Sequence, residues 1–251
     1  MKRGLALIGF LLIGFPIQEA NSGDKGHYNI RYVKTFESGD YFVVKSSGSG
    51  VIEGRVVYKG KRKLRNRKKL ITKDKEVCGR GYKIDRVYEV SDDGGVKNAV
   101  VFVEAKSQEK RLTKVLVQEK CEFSPRVIAM SAGSTLEIVN KDEAKHEANG
   151  VQDYETIFQL SQPKKGMVDR VVLNKPGVVE VTCNIHGWMK AWVVVSASPY
   201  FAVTDSKGNF RISGLPPGSY KLRVWHEGLR EKSMKVKVRE GKVSTVTVEL
   251  R

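Results

Sequence analysis

Residues 178–195 read VVEVTCNIHGWMKAWVVV. Two Val-rich runs flank a short polar stretch, which predicts two β-strands joined by a tight connection, because β-branched residues suit a pleated, half-buried surface. That connection carries Cys183, His186 and Met189 at intervals of three. The same texture continues outward. Residues 51–58, 99–104, 114–118, 135–139 and 168–173 are short runs rich in Val, Ile and Leu, separated by turn signals such as DDGG, SAG, NKD and NKPG. No window sustains helical periodicity. Many short strands punctuated by Gly and Pro predict an all-β protein built from sandwiches or barrels.

A second pattern begins near residue 198. In TDSKGNFRISGLPPGSYKLRVWHEG (204–228), a turn at 205–208 precedes alternating Phe210 and Ile212, and a turn at 215–218 precedes alternating Tyr220, Leu222 and Val224. Two more alternating runs follow, 234–238 and 243–250. Period-two alternation between tight turns is an antiparallel sandwich in sequence form. The pattern D-x-x-G-x-F-x-I-x-x-L-P-P-G-x-Y-x-L resembles the carboxypeptidase regulatory-like, transthyretin-like module, and this resemblance implies a small β-sandwich scaffold over 198–251.

The N-terminus differs from both. Lys2 and Arg3 precede an apolar run, 5–15, then Pro16 and the small residues Ala20, Asn21 and Ser22. This is the order of a secretory signal, read here as 1–22, and the run is short for a membrane span. Residues 23–50 mix aromatics with Gly and Ser and end in SSGSG, which predicts a flexible tether with one stray strand. The formal charge is +17. In an exported, periplasmic protein such an excess points away from nucleic acid and toward acidic proteins or anionic surfaces. It concentrates in KGKRKLRNRKK (Lys59 to Lys69), read as a solvated loop or hairpin tip, with an electrostatic docking patch for an anionic membrane or cell surface as the alternative.

One thiolate and two imidazoles in a plane, with a thioether on the axis, make a type 1 copper site. Cys183, His186 and Met189 supply three such ligands from one hairpin, and His146, in the stretch NKDEAKHEANG, is placed to supply the fourth. In this order the residues resemble the cupredoxin family (plastocyanin and azurin), with an amicyanin-like ligand loop. The resemblance implies a Greek-key sandwich over 51–197, with its core at 95–195, and one copper ion on His146, Cys183, His186 and Met189. It further implies a one-electron carrier, with His186 nearest the surface; the basic surface predicts an acidic redox partner, such as a c-type cytochrome. A cupredoxin unit followed by a regulatory-like module also resembles exported proteins labelled methylamine-utilisation-like. Glu147 stands where the family usually has Asn and Gly187 where it often has Pro, which implies a looser, more exposed site.

Three cysteines leave one unpaired. Cys78 and Cys121 lie outside the ligand loop and are expected to pair, with Cys183 free; Cys183 as half of a disulfide is the alternative, since connectivity is not deducible from sequence. His27 and His226 read as bystanders, and Asp142, Glu143 and Glu147 as a solvated loop around His146. Four histidines without a His-x-His pair, no CxxCH and no nucleophile elbow argue against an enzyme. The rival to electron transfer is copper holding, as a chaperone or as a structural adhesion protein.

Overall fold

The computed structural model describes residues 30–34, 40–44, 49–105 and 111–251. They fall in two compact units, 1–47 and 48–251. In the first, Ile30–Lys34 pairs antiparallel with Asp40–Val44. The stretch expected as a tether thus carries a two-stranded ribbon, as its Ile, Tyr, Phe and Val residues favour. The expected signal, 1–22, lies outside the described residues, as does the rest of the tether up to residue 48. No helix among the described residues is long and apolar enough to cross a membrane.

The second unit is all-β apart from one helical turn, Lys75–Cys78. Its first sandwich sets the sheet Val168–Leu173, Ser134–Asn140, Thr113–Glu119 and Glu122–Ser124 against the sheet Glu155–Gln162, His146–Gln152, Gly177–Cys183, Lys190–Ser196 and Val127–Ser131. Leu116, Leu136, Ile138 and Leu173 from one sheet pack against Ala148, Val179, Val181 and Val193 from the other. Ser134–Asn140 shows the pleat directly, every second residue being buried.

The second sandwich departs from the boundaries read in the sequence. Gly50–Tyr58 pairs antiparallel with Asn209–Leu215 and parallel with Val243–Leu250. Val100–Glu104 pairs with both Phe201–Val203 and Gly218–His226. Two strands assigned by position to the first sandwich therefore complete the second, and the regulatory-like module is not confined to 198–251. Ile52, Val56, Val101 and Val103 share its core with Phe210, Ile212, Leu222 and Val236. The reason is burial on two faces. Val101 and Val103 enter this core, while Val100 and Phe102 face a third cluster with Val127, Ala129, Val194, Trp192 and Trp225. A strand buried on both faces reads as a continuous apolar run, and such a run carries no mark of its partner.

The third cluster is the seam between the sandwiches. Arg126 Nε and Nη2 donate to Glu227 at 2.6 and 2.7 Å, and Nη2 also donates to Asp85 at 2.6 Å. Trp192 Nε1–H donates to Glu227 at 2.9 Å, and the Trp192 and Trp225 rings meet edge to face. His226, read as a bystander, lies buried here beside Tyr88, and its Nδ1 accepts the Gly228 N–H at 3.2 Å. Burial and the nearby Arg126 charge push its pKa down to about 4. The folded protein thus resists protonating a side chain that the unfolded chain protonates near pH 6.5. Stability is full above pH 6.5 and falls as pH drops to about 4, a loss of about 3 kcal/mol at 1.36 kcal/mol per pKa unit. Urea unfolding at pH 7 and pH 4.5 checks this, with His226→Gln expected to remove most of the slope across that window.

The basic run 59–69 is exposed for most of its length, and its end forms one arm of a hairpin, Arg67–Leu70 with Tyr82–Asp85. The turn at the far end of this hairpin reaches the first sandwich's ligand loop.

Candidate metal centre

His146 is the first residue of the strand His146–Gln152 rather than part of a loop. The strand was hidden because its inward face is His146, Ala148, Gly150 and Gln152, and two of these are polar. His146 sits in register with Gln162, and Ala148 with Cys183. A buried amide network shapes the approach to it. Asn140 Nδ2 donates to the carbonyls of Ala144 and Gln162 at 3.0 and 3.1 Å, and Asn140 Oδ1 accepts the Asp142 N–H at 2.8 Å. The NKD motif that signals a turn therefore also aims Asp142 inward, where it is buried rather than solvated.

Cys183 ends the strand Gly177–Cys183, and the turn from 184 to 189 closes with the Met189 N–H donating to the His186 carbonyl at 2.9 Å. The structure brings together His146, Cys183 and His186. The two Nδ1 atoms are 3.1 Å apart, and the Cys183 sulfur lies 3.9 Å from His146 Nδ1 and 3.6 Å from His186 Nδ1. Met189 is buried in the same core cluster, directly after Trp188, whose ring lies 5.1 Å from that of His186. Cys183 is a free thiol, and Cys78 is joined to Cys121 by a disulfide.

The outer nitrogens of both imidazoles are engaged. His146 Nε2 meets Asp142 at 2.9 Å, and His186 Nε2 meets Asp74 at 2.8 Å. Carboxylates accept hydrogen bonds, so each histidine can carry a proton on Nε2 and, with a metal ion bound, would offer an unprotonated Nδ1 inward; without one, both Nδ1 atoms lie within hydrogen-bonding distance of the Cys183 sulfur. Asp142 is itself fixed by the N–H groups of Lys120 and Cys121 at 2.6 and 2.8 Å. Its burial favours the neutral acid, but hydrogen bonds from the Cys121 N–H, His146 and the Lys120 N–H hold its pKa below the usual carboxylate value. Burial likewise opposes ionisation of Cys183, yet hydrogen bonds from His146, His186 and the backbone N–H groups of Glu147 and His186 bring its pKa to about 5. Burial disfavours the charged form of His186, while Cys183 and Asp74 raise its pKa overall.

Three expectations are corrected. The site is not loose or exposed: His146 and His186 are both 0% exposed. Glu147 in place of Asn does not untie the ligand strands, because the tie is made by backbone. The Glu147 carbonyl accepts the Asn184 N–H at 3.0 Å, and its own N–H bonds the Cys183 sulfur. His186 is also not a surface residue. It is covered by the segment bearing Asp74, with Ile71 and Cys78 buried beside it in the same core cluster. Sequence reasoning missed Asp74 altogether, since a lone Asp in KDKEVC carries no signal of what lies above it in space.

Three inward donors define what the site can hold. A first-row ion about 2.0 Å from imidazole nitrogen and about 2.3 Å from thiolate sulfur, centred in a trigonal plane, spreads the nitrogens about 3.5 Å apart and sets each about 3.7 Å from sulfur. The observed separations of 3.1, 3.6 and 3.9 Å match that triangle within a few tenths of an ångström. Two imidazoles and one thiolate suit a borderline-soft transition metal rather than calcium or magnesium.

The carboxypeptidase regulatory-like domain model matches residues 189–251. No curated protein matches the chain significantly. Among solved structures, a purple cupredoxin from Nitrosopumilus maritimus is 20% identical, covering 33% of this chain and 98% of its own, with a TM-score of 0.29. Amicyanin from Paracoccus versutus is 17% identical over 38% of this chain and 97% of its own, with a TM-score of 0.31. A copper-containing nitrite reductase from Thermus scotoductus is 28% identical over 38% of this chain, with a TM-score of 0.29, and the match spans 24% of that enzyme.

Proposed function

We propose that the protein binds one copper ion that His146, Cys183 and His186 would hold, with Met189 as the candidate fourth ligand, and passes single electrons outside the cytoplasm. The observation that carries this reading is the convergence of three lone-pair donors whose outward sides are already committed. The two Nδ1 atoms lie 3.1 Å apart beside a sulfur favoured as thiolate, so three metal-ligating atoms face one point. Bound there, copper supplies a one-electron couple. The protein residues supply the rest. Cys183 offers the covalent sulfur path, Asp142 and Asp74 fix the ring orientations, and the backbone N–H groups at the sulfur stabilise its charge. A ligand set held on one sheet of a packed sandwich and the turn that follows it moves little between charge states, which suits electron transfer.

An acidic redox partner, of the kind a c-type cytochrome could present, accords with the +17 charge and with the basic hairpin, whose Lys69 Nζ donates to the Gly187 carbonyl of the ligand loop at 3.3 Å. That hairpin is also the surface offered to an anionic membrane or cell face. One observation favours the rival reading of copper holding or delivery without redox turnover: His186 has no exposed edge.

Cu(II) titration of metal-free protein, followed by visible absorption, tests the proposal. An intense thiolate-to-copper band is expected at one equivalent and is expected to vanish in Cys183→Ser. Voltammetry then separates the readings, a reversible one-electron wave supporting the carrier and its absence supporting the holder. Weakly bound copper without the band would sink both.

A further inference from the structure

We propose that residues 70–81 are a disulfide-locked cover over the metal centre, with Asp74 as the positioning residue for His186. The segment leaves the basic hairpin after Leu70 and returns to it at Tyr82, closed by the Ile71 N–H donating to the Gly81 carbonyl at 2.9 Å. Within it, the N–H groups of Val77 and Cys78 donate to the Asp74 carbonyl at 3.0 and 2.7 Å. One turn of helix thereby sets Asp74 and Cys78 side by side. Asp74 reaches His186 Nε2 at 2.8 Å, and Cys78 closes the disulfide to Cys121.

The disulfide stands where both halves of the site are held. A ring nitrogen of His186 lies within 4.8 Å of both disulfide sulfurs, and a carboxylate oxygen of Asp142 and a ring nitrogen of His146 lie within 4.8 Å of the Cys121 sulfur. Cys121 also donates its N–H to Asp142 and accepts the Trp188 Nε1–H on its carbonyl. One crosslink therefore ties the carboxylate behind His186 to the one behind His146. Apart from this lock and the Asp74–His186 hydrogen bond, the cover is attached by one buried side chain, Ile71, with Val77 packed at the edge. Its other side chains from Lys75 to Tyr82 are largely exposed, and Gly79 and Gly81 adopt positive φ with open space around them. A short segment with so little burial opens locally unless something pins it. Reagents and metal ions then meet Cys183 and His186 only when the cover lifts.

The Asp74 role rests on the metal-centre reading; the cover itself does not, so the two can fail separately. In metal-free protein, iodoacetamide labelling of Cys183 is measured by mass spectrometry in wild type and in Cys78→Ser/Cys121→Ser, where Cys183 is the remaining thiol. The double variant is expected to label about tenfold faster or more while its circular dichroism stays native. Equal rates in two folded proteins would overturn the cover. Should the double variant not fold, wild type still decides. The protein is labelled before and after mild reduction of the Cys78–Cys121 disulfide, with Cys183 followed by peptide mapping, and faster labelling of Cys183 after reduction is expected. Unchanged Cys183 labelling on reduction overturns the proposal.

For Asp74, the probe is Co(II), which does not oxidise the thiolate. Asp74→Ala is expected to release Co(II) to a chelator about 10- to 100-fold faster and to shift the cobalt–thiolate band, with Asp74→Asn restoring most of both because its carbonyl still accepts the Nε2–H. An unchanged band and release rate in Asp74→Ala would remove the positioning role.

Discussion

Arg126→Met is expected to destabilise the protein by about 3–5 kcal/mol, the cost of leaving buried charge without its partner. Arg126 sits at the start of the first sandwich's strand Val127–Ser131. It bonds Glu227 in the second sandwich and Asp85 at the end of the basic hairpin, with Glu227 only 3% and Asp85 10% exposed. Removing the guanidinium leaves two carboxylates facing the same seam, with the Trp192 N–H to Glu227 and Lys69 to Asp85 as their remaining partners there. The pH dependence should move with it. Burial would raise the Asp85 pKa, but Arg126 first and Lys69 second hold it below the usual carboxylate value. In wild type this contribution is present above the unfolded carboxylate pKa and disappears as pH falls through the lower folded value. In Arg126→Met this acid loss is expected to shrink or reverse, because without the guanidinium burial raises the Asp85 pKa toward or above its unfolded value. Urea midpoints at constant slope measure the effect. A companion variant neutralising all three groups, Arg126→Met with Asp85→Asn and Glu227→Gln, should recover most of the loss. If the single variant costs less than about 1 kcal/mol, the seam is held by its apolar cluster alone.

Cys78→Ser/Cys121→Ser is expected to lower stability by about 4 kcal/mol, from the chain entropy returned to the unfolded state when a loop of this length is opened. The crosslinked residues are 43 apart in sequence. For a domain of roughly 200 residues that corresponds to a fall in Tm of about 8–16 °C, measured by calorimetry on metal-free protein. The effect should appear mainly in the unfolded reference, so tryptophan fluorescence of the folded variant should stay native apart from Trp188, whose ring N–H bonds the Cys121 carbonyl. A fall much larger than this would mean that the cover over His186 contributes to the sandwich core itself, through Ile71 and Cys78.

The reach of sequence reading differs between the two sandwiches. In the regulatory-like module, alternation around 205–208 and 215–218 marked strands that the structure places at Asn209–Leu215 and Gly218–His226. Two further strands, Gly50–Tyr58 and Val100–Glu104, were legible as strands but not as members of that module, since pairing across more than a hundred residues leaves no local trace. In the first sandwich, His146–Gln152 and Glu155–Gln162 escaped notice because Gln152, Gln162 and His146 occupy buried positions where apolar residues would have signalled a strand. Their polar groups are affordable inside because they bond one another and the backbone. Gln162 Nε2, for example, donates to the Ile138 carbonyl at 3.0 Å and to Asp169 at 2.9 Å.

By itself the sequence determined the all-β class, the strand–loop–strand around Cys183, and the set of side chains with the right donors, because backbone periodicity and ligand chemistry are local properties of residue type. Only the tertiary structure decided which nitrogens of His146 and His186 face inward, that Asp142 and Asp74 stand behind them, and that the Cys78 turn lies over the site. Those are relations between segments as far apart as residues 74 and 186, and they are set by how sheets stack and where a crosslink closes, which no short window of sequence encodes.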